Sequence, residues 1–479
     1  VAMASPTRNN NNALLSGETT RRPKIQEIII NISEHVEPLV PDECCIYKVP
    51  VHLFKLNQEA YTPKFISIGP IHSKTKELRQ ENQKQRYFHA FYKRLNNLQA
   101  LALKNYRTTY LEQKEKAIRD SYSELDDDDD IDFVDMILLD SVFIIELFLR
   151  NSERKDDELE INDPIFKTSW ICKAIQRDLL LLENQIPMFV LEELYNSVFL
   201  FDKNKKNNHD QNFLKLAFYY FKDFYPQNEP SDIADMIQSC KTCCKHFTDL
   251  IRYTYLPRKF QIHGVNPKLD FTPYPIDHHI PRTATRLNEA GVSFEKVQGR
   301  SYLDIKFHKT QILSWFLCFG FLPLTKHIKA RLQFPQVKVN QTTECVLRNL
   351  IALEQCHYSD QPFICNYVFL IDSLINTCDD VELLVDKEAI VHELGSHTEL
   401  AALVNCLCKN VVVSSNYYGK TIKKLNNHYN NCWMHYMGML RSVYFRDPWR
   451  FSSSVVGFAV FLFAIFNFLK VIGVFHPKT

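Results

Sequence analysis

A chain of 479 residues allows two or three domains, and its 45% hydrophobic and 13% aromatic content can fill a large core. The 57 basic and 56 acidic residues leave a net charge of +1, so the chain lacks the broad basic field that non-specific nucleic-acid binding needs. Its 11 glycines are too few for an all-β fold built on glycine turns. The composition therefore favours a helical or mixed fold and gives no reason to expect a nucleic-acid partner.

The N-terminal residues 1–22 are polar and rich in asparagine, and we predict a disordered tail there. They contain no apolar run of the kind found in secretory signals. Without such a signal, the 14 cysteines are expected as reduced thiols rather than as a disulfide framework. A mostly helical domain is predicted over 23–450, starting with a helix at Ile25–Val40.

Helical periodicity recurs in the first half of this domain. Apolar positions at helical spacing predict one long amphipathic helix over 76–118. The acidic run 126–130 is interpreted as a solvated linker, because it lacks the glycine and the bidentate glutamate of a calcium-binding EF-hand loop. A strongly apolar helix is predicted at Phe133–Leu149, further helices over 164–196, and a polar loop over 202–211.

The second half contains the main β signal. Residues 292–307 alternate around Gly299 and Arg300, which predicts a hairpin. Ser396 and Glu399 fit a capping box at a helix start. Helical patterns return at 341–357, 361–376, 379–394 and 397–408. The predicted fold class is mainly α with a small antiparallel β element (α+β), plus one C-terminal transmembrane helix.

The transmembrane prediction rests on residues 451–470, which a short tail at 471–479 follows. The positions from Phe451 to Leu469 would span roughly 28 Å as a helix, about one hydrocarbon core. Three arginines in 441–450 precede the segment, so the positive-inside rule predicts a single-pass protein of the plasma membrane or an endomembrane with a cytosolic body. The predicted anchor residues are Val455, Val456, Phe458, Val460, Phe461, Leu462, Phe463, Ile465, Phe466, Phe468 and Leu469.

Two motifs suggest metal binding and fail on spacing. In HELGSH, at 392–397, the two histidines are five positions apart and cannot share a helix face as zinc-protease ligands do. The C-x2-C-C-x-H run at 240–246 would need a second ligand pair for zinc, and buried cysteines on a helix explain it better. We therefore predict no metal and no cofactor.

Three glutamates lie inside apolar runs: Glu146, Glu183 and Glu354. A carboxylate in such surroundings either pairs or has its pKa raised by desolvation, and the second case would suit acid–base catalysis. We favour pairing with a helix end or with an arginine such as Arg177 or Arg348. No catalytic motif is found.

Several longer motifs point to a family. They are IYKVP at 46–50, AYTPKFISIGPIH at 60–72, MILLDSVFIIELF at 136–148, RDLLLLENQIPMFVLEEL at 177–194, TATRLNEAGVSF at 283–294, RNLIALEQCH at 348–357 and FRDPW at 445–449. With these motifs the chain resembles the plant domain-of-unknown-function 247 family. The resemblance implies a helical plant protein with a C-terminal transmembrane helix. Most members have no assigned biochemistry, some grass members are linked to self-incompatibility, and the family offers no catalytic residues to carry over.

The chain departs from the family pattern at 312–334, where relatives have only a short extended segment. Its apolar stretch ILSWFLCFGFLPL is too short to span a bilayer. The segment is either a buried insertion or intron sequence retained in a gene model, and we favour the second.

Two functional hypotheses follow. The first is a membrane-anchored, non-enzymatic recognition or interaction protein, with a role in pollen self-incompatibility as the resemblance suggests. It would bind the membrane and either a protein partner or further copies in a homo- or hetero-oligomer. The alternative is a membrane-tethered, hydrolase-like enzyme that uses a buried carboxylate such as Glu183 or Glu354. No small-molecule substrate is inferred.

Overall fold

Helices account for most of the structure, as the apolar periodicity predicts. The structure is a computed structural model, and its described residues lie in the unit Glu43–Thr479. The predicted tail, the helix at Ile25–Val40, the acidic linker and the loop at 202–211 lie outside the described residues. Described are residues 43–75, 80–125, 132–153, 163–199, 212–225, 237, 240, 243–263, 270–273, 282–309, 330–430 and 448–471.

Helices are the regular elements in the first half of the described chain, and irregular segments join them. Its helices are α1 (Val51–Phe54), α2 (Glu81–Arg94), α3 (Asn97–Asn105), α4 (Glu112–Asp120), α5 (Phe133–Glu153), α6 (Pro164–Lys167), α7 (Ser169–Asp178), α8 (Met188–Phe199), α9 (Phe213–Tyr220), α10 (Phe247–Tyr255) and α11 (Arg258–His263). Short 3₁₀ turns occur at Gln58–Ala60 and Lys222–Phe224, and a π turn at Tyr106–Leu111 joins α3 to α4.

The single helix predicted over 76–118 is wrong, because the chain breaks between α2 and α3. Leu95 is extended, and Asn96 starts the next helix with a capping box. The Asn96 side chain accepts from the Gln99 N–H at 2.9 Å, while the Gln99 side chain accepts from the Asn96 N–H at 3.1 Å. A reciprocal cap satisfies two unpaired helix N–H groups and so favours a new start at this point.

Helix α5 forms the centre of the core. Every residue from Asp140 to Leu149 is buried, which explains why the segment is apolar on all sides. It packs against α2, α8 and α9. Phe148 stacks on Tyr220 with ring centroids 4.5 Å apart and meets Phe247 at 5.5 Å. The predicted apolar helix is therefore confirmed as the main core element.

The second half adds α12 (Ala284–Glu289), α13 (Thr343–Cys356), α14 (Phe363–Leu374), α15 (Cys378–Asp386), α16 (His397–Leu407), α17 (Gly419–Tyr429) and α18 (Pro448–Val471). The helix predicted over 379–394 is too long, because α15 ends at Asp386 and a strand follows after the left-handed residue Glu388. Ser396 does cap α16, accepting from the Glu399 N–H at 3.1 Å. The Glu399 carboxylate accepts from Gly395 N–H, so the box is shifted by one residue.

Within the described ranges, seven short strands form three small sheets. They are β1 (Thr272–Pro273), β2 (Val292–Val297), β3 (Lys306–His308), β4 (Ala330–Pro335), β5 (Val337–Val339), β6 (Ile390–His392) and β7 (Ser415–Asn416). β1 pairs with β7 antiparallel and β5 pairs with β6 parallel. The third sheet has the order β2-β4-β3, in which β4 is parallel to β2 and antiparallel to β3.

The predicted hairpin at 292–307 is wrong in its pairing. Strands form on both sides of Gly299, but β4 lies between them and hydrogen-bonds to both. The sheets are also mixed rather than purely antiparallel. β4 includes the last residues of 312–334, the segment that differs from the family pattern. Residues 310–329 lie outside the described residues. Whether that segment is an insertion or retained intron sequence stays a prediction.

The C-terminal helix α18 corrects the membrane prediction. Within the described part of the chain, no helix combines the length and the apolar character that crossing a membrane requires. The longest stretch of α18 without a polar side chain, 455–466, would extend only about 18 Å, against roughly 30 Å for a hydrocarbon core. Ser454 precedes this stretch and Asn467 follows it. The transmembrane element of the fold class and the single-pass localisation are therefore wrong.

Candidate functional site

The segment between α7 and α8, residues 179–187, is buried but not helical. A buried irregular backbone must find partners for its N–H and C=O groups, since unpaired groups cost free energy. The polar run Glu183–Gln185 lies in this segment and supplies such partners. We call residues 178–185 the polar hinge.

Asn184 and Gln185 bond only to backbone groups. Asn184 accepts from Ile68 N–H at 2.7 Å and donates to two carbonyls, those of Ile66 and Asp178. Gln185 donates at 2.7 Å to the carbonyls of both Leu179 and Leu181 and accepts from Phe247 N–H at 3.0 Å. The two amides therefore connect the hinge to the segment 66–68 and to the start of α10.

Asp178 and Asp140 hold the segment 64–69 from two sides. Asp178 accepts from the N–H groups of Lys64, Phe65 and Ile66, and burial raises its pKa. Asp140, on α5, accepts from Gly69 N–H at 2.9 Å and pairs with the buried ammonium of Lys84. Both carboxylates thus stabilise a fixed loop conformation.

Glu183, in the polar hinge, contacts a histidine. Its Oε1 accepts from Val49 N–H at 2.7 Å, and its Oε2 lies 3.1 Å from His72 Nε2. The His72 side chain is 15% exposed and that of Glu183 9%. Sequence reasoning selected Glu183 but missed its partner, because the two residues are far apart in the chain.

A small pocket of about 70 Å³ lies close to this pair, and Ile71 and Ser73 line it. Among the described residues, neither this pocket nor the larger one described below has His72 or Glu183 in its wall. Neither of these two pockets is therefore a substrate site for the pair.

Glu354 is fully buried between helices α10, α13 and α14. It accepts from Arg252 Nε at 2.9 Å and from Cys365 N–H, the start of α14, at 2.9 Å. Arg252 also lies over the Tyr358 ring at 3.8 Å. Burial raises the pKa of Glu354, while Arg252 opposes that rise.

Glu146 is likewise paired, with Arg94 and Arg150. The pairing hypothesis is thus confirmed for these two buried glutamates, although the arginines differ from those suggested. Arg177 instead pairs with Asp178 at 2.7 Å and Arg348 with Glu344 at 2.8 Å.

The cysteine–histidine run also has a structural role. His246 starts α10, accepting weakly from Asp249 N–H at 3.4 Å, and its Nε2 bonds to the Cys45 carbonyl at 3.0 Å. Burial lowers the pKa of His246 to about 4, so the ring is neutral. Cys240 and Cys244 are buried, with thiol pKa values raised by burial.

The HELGSH histidines come together without a shared helix. His392 lies in β6 and His397 begins α16, and their rings are 5.1 Å apart. In the part of the chain that the structure describes, no group of three or more His, Cys, Asp or Glu residues could hold a metal ion.

A groove of about 1300 Å³ is lined by described residues of several elements. Its walls come from β5, β6, α14, α16 and the loop after β2. The stripe Leu400, Leu403, Val404 and Leu407 forms one apolar wall, and Val346, Leu347, Val368 and Ile371 contribute to the rest. We call this feature the tyrosine groove, after Tyr255, Tyr302 and Tyr367 in its lining.

The family described as plant protein of unknown function, domain of unknown function 247, matches residues 46–463. The match covers most of the chain, including the polar hinge and the walls of the tyrosine groove. The chain belongs to this family. The expectation drawn from the sequence motifs is therefore confirmed.

Two curated relatives of this plant family come from Arabidopsis thaliana. UPF0481 protein At3g47200 is 29% identical over 466 residues, which cover 91% of this chain and 88% of the relative. Putative UPF0481 protein At3g02645 is 24% identical over 467 residues, covering 85% of this chain and 86% of the relative. No solved structure matches the chain.

The tyrosine groove escaped sequence reasoning. Its three tyrosines come from α10, from the loop after β2 and from α14, with no motif that unites them. The ENQ run of the polar hinge, by contrast, was visible, because three polar residues stand inside an apolar segment.

Proposed function

We propose that this member of the domain-of-unknown-function 247 family is a non-enzymatic interaction protein that binds a protein partner through α18. The supporting observation is the exposure of that helix. Phe463 is 68% exposed and Phe468 65%, and Phe458 and Phe461 are similarly open. Contiguous exposed apolar surface is typical of interaction sites.

The occupant that suits this surface is another helix with an apolar face, because exposed positions occur around the whole circumference of α18. Phe458, Phe461 and Ile465 follow one helical face, while Val460 and Phe463 lie on another. A helix that is apolar on every side is stable in water only when other apolar elements surround it. Helix-on-helix association would bury these aromatic side chains.

The state of the acid–base groups supports the non-enzymatic part of the proposal. Glu146 and Glu354 form ion pairs with arginines, and His246 accepts a hydrogen bond at the start of α10. More specifically, we propose that the interaction serves recognition in pollen self-incompatibility, to which some grass members of the family are linked.

The test is co-purification of the full-length chain from plant tissue, with light scattering of the isolated protein. Phe461→Ser with Phe463→Ser should abolish partner capture or self-association, while Tyr92→Ser, at a 53% exposed aromatic on α2, should leave it unchanged. A wild-type chain that stays monomeric and captures no protein would refute the proposal.

The His72–Glu183 contact favours one alternative, an enzyme that uses Glu183 as a base. Its test is ester hydrolysis by the folded wild-type chain and by His72→Asn. Loss of turnover in a folded His72→Asn protein would support this alternative. We favour the interaction protein because neither residue lines a described pocket.

A further inference from the structure

The tyrosine groove contains buried polar groups that the fold does not use. Tyr255 is 6% exposed and Tyr367 5%, and both line the groove. Among the described residues, neither hydroxyl has a hydrogen-bond partner, whereas the Tyr302 hydroxyl faces the backbone N–H of Lys338. A ligand oxygen that reaches these two hydroxyls can therefore accept a hydrogen bond from each without displacing a bond within the described protein.

The three hydroxyls act as hydrogen-bond donors. Tyr255 and Tyr302 have ring centroids 5.4 Å apart, and Tyr367 is close enough to Tyr302 for the two to interact electrostatically. Burial raises the pKa of each phenol, so all three stay protonated at neutral pH. A cluster of protonated phenols is suited to an oxygen that accepts several hydrogen bonds.

Charge at the rim favours an anion at this end of the groove. Arg300 is two residues before Tyr302, lies 3.7 Å from the Asp304 carboxylate and donates to Gln333, while the backbone of Lys338 adjoins Tyr302. The charged lining residues are Lys222, Asp223, Arg300, Lys338 and Glu393, so cations exceed carboxylates.

The remaining wall is apolar and long. Leu400, Leu403, Val404 and Leu407 have i, i+3, i+4, i+7 spacing on α16, so they form one continuous stripe. A volume of about 1300 Å³ exceeds that of ordinary drug-sized sites, roughly 300–1,000 Å³. The groove can therefore accept an extended chain.

We propose that the tyrosine groove binds an amphiphilic carboxylate: an extended apolar chain lies along α16, and its carboxylate accepts from Tyr255 and Tyr367. Arg300 and Lys338 add favourable charge at the same end. The inference is independent of association through α18.

The test is calorimetric titration of the full chain with oleate and with oleyl alcohol, which has the same chain without the carboxylate. Oleate should bind at one site per chain, and the alcohol at least about tenfold more weakly. Absence of oleate binding, or equal affinity for the two compounds, would overturn the proposal.

Variants locate the site. Tyr255→Phe with Tyr367→Phe should weaken oleate binding about tenfold, because both donors are lost while the apolar volume is kept. Leu403→Trp should block the chain and abolish binding. Tyr195→Phe removes a hydroxyl from a buried tyrosine outside the groove lining and serves as the control. Unchanged affinity in the double variant and in Leu403→Trp, with each protein folded by circular dichroism, would refute this site.

Discussion

The polar hinge and the tyrosine groove use buried polar groups in opposite ways. In the hinge, Asn184 and Gln185 each bond to three backbone groups. In the groove, the Tyr255 and Tyr367 hydroxyls have no partner among the described residues. The comparison shows that the most distinctive motif of the chain serves the architecture, while the capacity to bind lies in residues without a motif.

The largest expected effect concerns the close approach of the hinge to segment 64–69. Gly69 has φ +70°, and a Cβ there would lie 2.5 Å from the Gln185 carbonyl oxygen. Gly69→Ala should therefore lower the free energy of unfolding by roughly 4 kcal/mol, measured by urea denaturation. Gly299→Ala is the matched control, because Gly299 has φ +71° but open space around its Cβ position. It should lose only about 1 kcal/mol, and similar losses in both variants would contradict a tight contact at Gly69.

Breaking the buried ion pair should have the next largest effect. Arg252→Leu leaves the Glu354 carboxylate buried without its cation and should cost roughly 3–4 kcal/mol. Adding Glu354→Leu should restore part of that loss, since no buried charge remains. The partly exposed pair Lys296–Glu388 is the control, and Lys296→Leu should cost under about 1 kcal/mol. A double variant no more stable than Arg252→Leu would argue against a charge effect.

Stability should depend on pH through His246. Its pKa is lowered to about 4 in the folded state, so between about pH 6.5 and 4 the unfolded chain binds more protons. The contribution is complete above pH 6.5 and is lost as the pH falls towards 4, by roughly 3 kcal/mol in total. His246→Asn keeps a side chain that can start a helix but cannot titrate. Denaturation curves of the two proteins should converge towards pH 4, and parallel curves would refute this assignment.

The smallest effect should come from the groove. Tyr255→Phe and Tyr367→Phe should each change the free energy of unfolding by under about 1 kcal/mol, because no protein hydrogen bond is lost. Tyr418→Phe is the contrast, since the Tyr418 hydroxyl donates to the Leu303 carbonyl at 2.8 Å. It should cost about 1 kcal/mol. A clear loss in the groove variants would mean that their hydroxyls are paired in the free protein.

Local patterns predicted the elements they control. Helix α5 follows from an apolar run long enough for several turns, and α16 from its serine cap. The break after α2 was missed because Asn96 and Gln99 form a cap inside a periodic segment. The hairpin failed for a different reason. β4 enters from more than twenty residues beyond β3, and long-range pairing leaves no local signal.

Part of the candidate chemistry could also be judged from the sequence. A glutamate inside an apolar run has to be paired, and the structure pairs Glu146 and Glu354 with arginines. Which arginine pairs with each glutamate can be read only from the tertiary structure, because Arg252 is about a hundred residues from Glu354. For the C-terminal helix, the length of the segment alone led to the wrong prediction of a transmembrane helix. Polar residues there flank a short apolar stretch.

By itself, the sequence determined the mainly helical class, the family and the commitment of its buried carboxylates to pairing, because periodicity, motif and burial are local properties. Only the tertiary structure decided that Glu183 meets His72, that β4 separates β2 from β3, and that Tyr255, Tyr302 and Tyr367 share one groove. Each of these depends on segments distant in the chain packing together, and the free energy of that packing is spread over the whole core.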